Sequence, residues 1–224
     1  MPIRKIKAGH FNTTSSFKNS KTELEVQAES NLEADFLFKL DQDDMVEWYD
    51  AQPIVISYQL PEENFTRTYT PDVLVRFKPE KGEKVTLYEV KFRSELIKSW
   101  RKLKPKFKAA IAVCKEKGWK FKIVTEREIR TPELKNREFL FHFSRTTSPV
   151  ELPMRSAIFK ALSSLDFSTP SELLAILFHS TLKRAEALPV LWRMIYENSI
   201  EIDMNLPLNM NSQIKLRKGY QYEE

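Results

Sequence analysis

Glu89 and Lys91 stand two residues apart in Tyr88-Glu89-Val90-Lys91-Phe92, and Asp72 lies upstream in Thr70-Pro71-Asp72-Val73-Leu74-Val75. A third acid, Glu33, sits in Ser30-Asn31-Leu32-Glu33-Ala34-Asp35-Phe36. On a strand, residues two apart share a face, so Glu89 and Lys91 point the same way and Val90 points into the opposite layer. Pairing Asp72 with Glu89 across a hairpin centres the turn between Glu80 and Lys81, inside the polar stretch Lys78-Pro79-Glu80-Lys81-Gly82-Glu83 that reads as a turn by composition. Two acids and a lysine then meet at the mouth of one hairpin. Phosphodiester hydrolysis suits such a grouping, because it needs an activated water and a stabilised oxyanion leaving group. Hard divalent cations such as Mg²⁺, with Mn²⁺ as a substitute, provide both and prefer carboxylate oxygens. In that chemistry Asp72 and Glu89 hold the metal and the Val90 carbonyl adds a ligand. Lys91 orients the attacking water or neutralises charge on the scissile phosphate.

Glu-x-Lys on its own is ordinary on a solvated strand face. It gains meaning here from the Pro-Asp pair at hairpin distance and from the basic helix that follows. Glu33 has a plainer reading as an exposed helix glutamate, and Glu29, one turn earlier, competes with it.

The elements that must position these residues follow from periodicity. Leu32, Phe36, Leu37 and Leu40 recur at helical spacing in a helix expected from about Thr22 and ended by Asp41-Gln42-Asp43-Asp44. Residues 54–58, 69–77 and 85–92 read as three strands. Leu96, Trp100, Leu103, Phe107, Ala110, Ile111 and Cys114 define one face of a second helix, in which Pro105 predicts a kink and which Gly118 stops. Residues 121–125 read as a fourth strand, so the last strand–helix–strand unit is a right-handed parallel crossover. A helix over roughly 132–141 follows. The expected division is a basic arm at 1–21, an α/β domain at 22–143 with a mixed sheet flanked by helices, a linker at 144–153 and a small domain at 154–224. Three short helical patterns, near 154–164, 171–179 and 184–198, and a terminal pair of strands make the last domain winged-helix-like. Leu173, Leu174, Ile176 and Leu177 are read as its core face rather than a partner-binding stripe.

Charge is strongly segregated along the chain. Residues 1–21 hold Arg4, Lys5, Lys7, Lys18 and Lys21 and no acid, residues 23–50 hold ten acids against Lys39, and residues 91–122 hold twelve Lys or Arg against Glu95 and Glu116. Carboxylates able to hold cations, flanked by cations able to hold phosphates, point to a nucleic-acid enzyme. Lys18, Lys98, Arg101, Lys102, Lys104 and Lys108 are the candidate phosphate contacts. Trp48-Tyr49 suits either base stacking or an aromatic plug under the sheet. Three His and one Cys are too few and too scattered for a zinc site, and Cys114 alone cannot form an internal disulfide, which fits a reducing cytoplasm. No stretch approaches the apolar length of a membrane span, and no signal peptide is evident.

Helix–strand–strand–strand–helix–strand with Pro-Asp and Glu-x-Lys on strands two and three resembles the restriction-endonuclease-like nuclease superfamily. Ser30-x-Leu32-Glu33, the acidic turn leading to Gln52-Pro53, the two strands TPDVLV and YEVKFRSEL, and KFKIVTEREIRTPELKNREFL are similar to the TnsA transposition endonucleases over roughly residues 22–141. The resemblance implies Glu33, Asp72 and Glu89 as metal ligands and Lys91 as the catalytic lysine; some relatives carry Gln where this chain has Glu89. It further implies a metal-dependent DNA endonuclease subunit of a heteromeric transposase in a bacterial Tn7-like transposon, nucleoid-associated when acting. Such a subunit cuts the non-transferred strand at the 5′ ends while a DDE transposase acts on the 3′ ends. An AAA+ ATPase regulator, met through the C-terminal domain, links the pair to a target selector, which in some relatives is a CRISPR effector. Two alternatives stand beside this reading: a stand-alone nuclease of the same fold (resolvase or restriction-type) and a non-catalytic DNA-binding adaptor. The Ser-x-Leu-Glu helix, the Thr-Glu-x-Glu-Ile segment and the C-terminal module argue against the first, and the intact Asp72, Glu89 and Lys91 against the second.

Overall fold

The structure is a computed structural model that describes residues 15–18, 21, 25–60, 62–82, 85–144 and 151–220. It divides into two compact units, residues 1–130 and 131–224. Among the described residues no helix is long and apolar enough to cross a membrane.

The first unit opens with strands β1 (Ser15–Lys18) and β2 (Glu25–Ala28), which pair antiparallel with Ser15 opposite Ala28. The expected helix from Thr22 is therefore shorter: α1 spans Asn31–Asp41. Ser30 sets its start, because its extended backbone and its hydroxyl, which accepts from the Glu33 N–H, make it the N-cap. The arm expected at 1–21 is likewise shortened by β1, and residues 1–14 lie outside the described part.

The central sheet has the order β3-β6-β7-β8, with β3 (Val46–Ala51), β6 (Val73–Phe77), β7 (Thr86–Val90) and β8 (Lys120–Val124). β6 pairs antiparallel with both β3 and β7, and β7 and β8 are parallel. The parallel pair is joined by α2 (Arg93–Glu116), as a crossover requires. Two expectations are corrected. The strand that precedes the β6–β7 hairpin in this sheet is β3, not residues 54–58. Ile56–Tyr58 (β4) instead pairs with Arg67–Tyr69 (β5) in a separate two-stranded ribbon. The single strand expected over 69–77 is broken at Thr70-Pro71-Asp72, since Pro71 has no N–H to donate to a ladder.

Helix α1 covers one face of the sheet, where Phe36 meets Tyr88 with ring centroids 5.1 Å apart. On the other face Leu74 and Leu87 pack with Ala110 and Cys114 of α2 and with Ile56 and Tyr69 of the ribbon. Helix α2 runs unbroken through Pro105 and ends as expected at Gly118, whose φ of 69° needs a residue without a side chain. Its buried line is Leu103, Phe107, Ala110 and Cys114; Trp100 and Ile111, expected on that face, are 47% and 53% exposed. Short α3 (Glu126–Ile129), with a Thr125–Glu128 capping box, closes the unit.

The second unit contains α4 (Pro132–Phe141), α5 (Glu151–Ser163), α6 (Pro170–Leu177), α7 (Thr181–Tyr196) and the antiparallel pair β9 (Ile200–Ile202) and β10 (Ile214–Leu216). Leu140 of α4 belongs to the same core as Ile158, Leu162, Leu173, Leu191, Met194, Ile200 and Ile214, which moves the division from the expected 143/144 to 130/131. Residues 151–153 of the expected linker are the first turn of α5, and 145–150 lie outside the described part. Leu173, Leu174 and Leu177 join the core as read from the sequence, whereas Ile176 is 64% exposed.

Candidate active site

The hairpin register places the first two acids. Val73 pairs with Tyr88 and Leu74 with Leu87, the register that sets Asp72 against Glu89. Asp72 follows Pro71 just before β6, where the ladder has opened, and its own N–H still donates to the Tyr88 carbonyl at 3.2 Å. Its carboxylate therefore faces the end of β7, and Oδ2 accepts from the Val90 N–H at 2.6 Å. Glu89 shares the Leu87 side of β7 and is 2% exposed. Lys91, one step past the strand, returns its side chain over the same face.

The Lys91 ammonium lies 3.5 Å from Asp72 Oδ2, 3.4 Å from Glu89 Oε1 and 3.1 Å from the Val90 carbonyl oxygen. These are the same three groups that the sequence nominates as metal ligands. A cation already faces all three oxygens, and it is the chain's own.

Glu33 reaches the cluster from α1. Its Oε2 accepts from the Glu29 N–H at 2.9 Å and its Oε1 from the Ser30 hydroxyl at 3.1 Å, so it also closes the start of its helix. Both oxygens are thus engaged locally, while the charge is felt by Asp72 and Lys91. Burial first, and the charge of Asp72 second, push Glu33 up to about 7 against the pull of the Glu29 N–H and Lys91. Burial and Asp72 likewise push Glu89 up to about 7, and burial raises Asp72 despite Lys91 and the Val90 N–H. Burial alone would lower Lys91, but Asp72, Glu89 and Glu33 outweigh it and hold the ammonium above its ordinary value. Two carboxylates pair with the one ammonium and Glu33 adds its charge from α1, which leaves two negative charges among these four groups when all are ionised.

The donor set is hard oxygen of net charge −2, which fits a divalent cation of the Mg²⁺ class. Among the described residues no three Asp, Glu, His or Cys side chains converge on one point closely enough to form a metal cage by themselves. The fit rests instead on two carboxylates, a backbone carbonyl and the net charge. Mg²⁺ needs few protein ligands of this kind, because it keeps several of its waters.

Three further residues belong to this site and were not read from the sequence as part of it. Tyr69, at the end of β5, donates its hydroxyl to Glu89 Oε2 at 2.5 Å, and Lys106 of α2 lies over its ring at 5.8 Å. Glu29 is not on α1, as its competitor reading assumed; it precedes the N-cap, and its carboxylate lies close enough to Asp72 to disfavour a second charge there. Gln52 joins the two, as described below. The Thr-Pro pair breaking the strand was the only sequence signal that Tyr69 and Asp72 sit on different elements.

The candidate phosphate contacts divide. Lys98, Arg101, Lys102, Lys104 and Lys108 are all exposed on α2, on the side away from its buried line. The Lys18 side chain lies outside the described part. Trp48 carries the Arg76 guanidinium over its ring at 5.4 Å, and Tyr49 is buried with its hydroxyl on Asp41, so the aromatic plug is the arrangement found for Tyr49.

Residues 42–126 match the family described as TnsA-like endonuclease N terminal. That span contains Asp72, Glu89, Lys91, Tyr69 and Gln52, with Glu29 and Glu33 just upstream. A search of curated proteins finds no match.

Proposed function

We propose that this chain, whose residues 42–126 match the TnsA-like endonuclease N-terminal family, is the metal-dependent subunit of a heteromeric transposase that cuts the non-transferred strand at the 5′ ends of a transposon. The observation that carries the proposal is the convergence of Asp72, Glu89 and the Val90 carbonyl around a single buried-side ammonium. Asp72, Glu89 and the Val90 carbonyl would hold the cation, with Glu33 adding charge from α1. Bound there, Mg²⁺ would supply Lewis-acid polarisation of the scissile phosphodiester. Lys91, kept protonated by its carboxylate neighbours, neutralises charge on the phosphate as it grows. The exposed cations of α2 hold the duplex by its phosphates, which positions DNA without reading its sequence. Recognition of the transposon end then falls to the partner DDE transposase.

The second unit is proposed to contact the AAA+ ATPase regulator. Phe167 and Leu206, both more than half exposed, flank β9 and β10 beside Asp166, Glu201 and Asp203, a surface better suited to a protein than to phosphates.

The test is strand-specific cleavage of end-labelled transposon-end duplex by the wild-type chain and by Asp72→Ala, with and without the partner transposase, in Mg²⁺. The expected product is a single cut in the non-transferred strand that needs the partner and is lost in the variant. Partner-independent cutting of random duplex would point instead to the stand-alone nuclease.

A further inference from the structure

Gln52 closes the last turn of β3 in a conformation that a side chain rarely takes. Its φ is 53°, in the left-handed region, and it precedes Pro53, which disfavours helical backbone at that position. The residue is 9% exposed, and its Oε1 is a buried acceptor with no hydrogen-bond partner. Left-handed backbone and a lone buried acceptor both cost stability. Strain of this kind persists where the surroundings impose it, and here both costs fall where two acid-bearing segments meet.

The contacts at Gln52 run to both of those segments. Its backbone N–H donates to the Asp72 carbonyl at 2.8 Å, which ties β3 to the residue before β6. Its Nε2 donates to Glu29 Oε1 at 2.8 Å, which ties β3 to the turn before α1. The Glu29 N–H in turn donates to Glu33 Oε2 at 2.9 Å. One residue thus links the backbone of Asp72, through three hydrogen bonds in series, to the carboxylate of Glu33. Apart from these bonds, the two segments belong to different elements, a helix start and a strand start, separated by about forty residues of chain.

We infer that Gln52 is a positioning residue that sets the separation of Glu33 and Asp72, and that Glu29 acts as its relay rather than as a cation ligand. This rests on the metal-site reading above. Neither residue touches the reacting atoms in this role. They act on the carboxylates as groups behind a metal ligand do, and removing such a group typically lowers metal affinity by about 10–100-fold.

The test is Mn²⁺ binding to the full chain, read as loss of the free-ion electron paramagnetic resonance signal, with thermal unfolding of each variant measured in parallel without metal. Gln52→Asn keeps an amide and tolerates φ > 0 but is one methylene too short to reach Glu29. Glu29→Ala cuts the relay, whereas Glu29→Gln keeps an acceptor for Gln52 and loses only the charge. Gln52→Asn and Glu29→Ala are expected to weaken Mn²⁺ binding by about tenfold or more, with Glu29→Gln within about threefold of wild type and all three unfolding within a degree or two of it. Glu29→Gln as damaging as Glu29→Ala would overturn the relay and make Glu29 a charge-bearing ligand. Wild-type affinity in Gln52→Asn, or a loss of affinity that tracks a fall in unfolding temperature, would overturn the positioning role. Asp72→Asn is the separate control: unchanged Mn²⁺ binding in that variant would sink the metal-site reading itself.

Discussion

The two units each gather four charged side chains, and they arrange them in opposite ways. In the first, Asp72 and Glu89 lie at one ammonium while Glu33 adds its charge from α1, and burial pushes the carboxyls up toward neutrality. In the second, Glu151 and Glu197 alternate with Arg155 and Arg193 in a closed ring of ion pairs at 2.6 to 3.4 Å. Burial would raise Glu197, but its hydrogen bonds to Arg155 and Arg193 outweigh that and hold it below its ordinary value. The ring is neutral and satisfied, so it stabilises the fold it sits in. The cluster of the first unit carries excess like charge, which a cation would offset under the proposed function. Similar residue types are thus balanced in one place and left with an excess of negative charge in the other.

That contrast can be broken most sharply at the three groups around the hairpin mouth. Asp72→Ala, Glu89→Ala and Lys91→Ala should each lower strand cutting by about 10²–10³-fold or more while the fold is kept. Near-normal cutting by any one of them would remove it from the site. A smaller loss is expected one step out. Tyr69→Phe deletes the hydroxyl held on Glu89 Oε2 and should lower cutting by about tenfold; single-turnover rates equal to wild type would show that Glu89 needs no such partner.

The second unit should respond in stability instead. Glu197→Gln removes charge-assisted bonds to two arginines whose side chains are 13% and 20% exposed, and is expected to cost about 1–3 kcal/mol. For a chain of this size that is a fall of roughly 2–4 °C in Tm per kcal/mol. Glu89→Gln should cost little in the metal-free protein, since it relieves like-charge crowding. Equal losses of Tm in the two variants would erase the distinction between the clusters.

The smallest effects lie in pH, and their signs differ. Glu33 and Glu89 bind protons more tightly folded, at about 7, than at the ordinary 4.5. In metal-free protein their contribution to stability therefore declines as pH rises from about 4.5 to 7. Glu197 runs the other way: its folded value is below 4.5, so its contribution is full above 4.5 and is lost as pH falls through the folded value. Unfolding followed across pH should show Glu89→Gln flattening the neutral side and Glu197→Gln the acid side. The opposite pairing would mean the signs of the two clusters were misjudged.

The juxtaposition of Asp72, Glu89 and Lys91 was legible before any coordinates, because strand alternation and one turn set their register, and both are local. The stop at Gly118 and the helices and strand pair of the second unit were legible for the same reason, whereas the start of α1 at Ser30 was not, the helix being expected from Thr22. β3 was not. Val46–Ala51 carries Glu47 and Asp50 among its apolar residues, and an acid-rich run reads as a turn until a partner strand supplies its pairing. Tyr69 and Asp72 looked continuous in sequence, and only the separate ribbon shows that they approach Glu89 from different elements. Leu140 could not declare which core it joins from helical spacing alone. The sequence by itself determined the hairpin that brings Asp72 and Glu89 together and most elements, through interactions between near neighbours. Only the tertiary structure decided where Lys91 rests, which residues stand behind the acids, and where one unit ends. Those outcomes depend on side chains far apart in the chain competing for the same buried space and the same few hydrogen-bond donors.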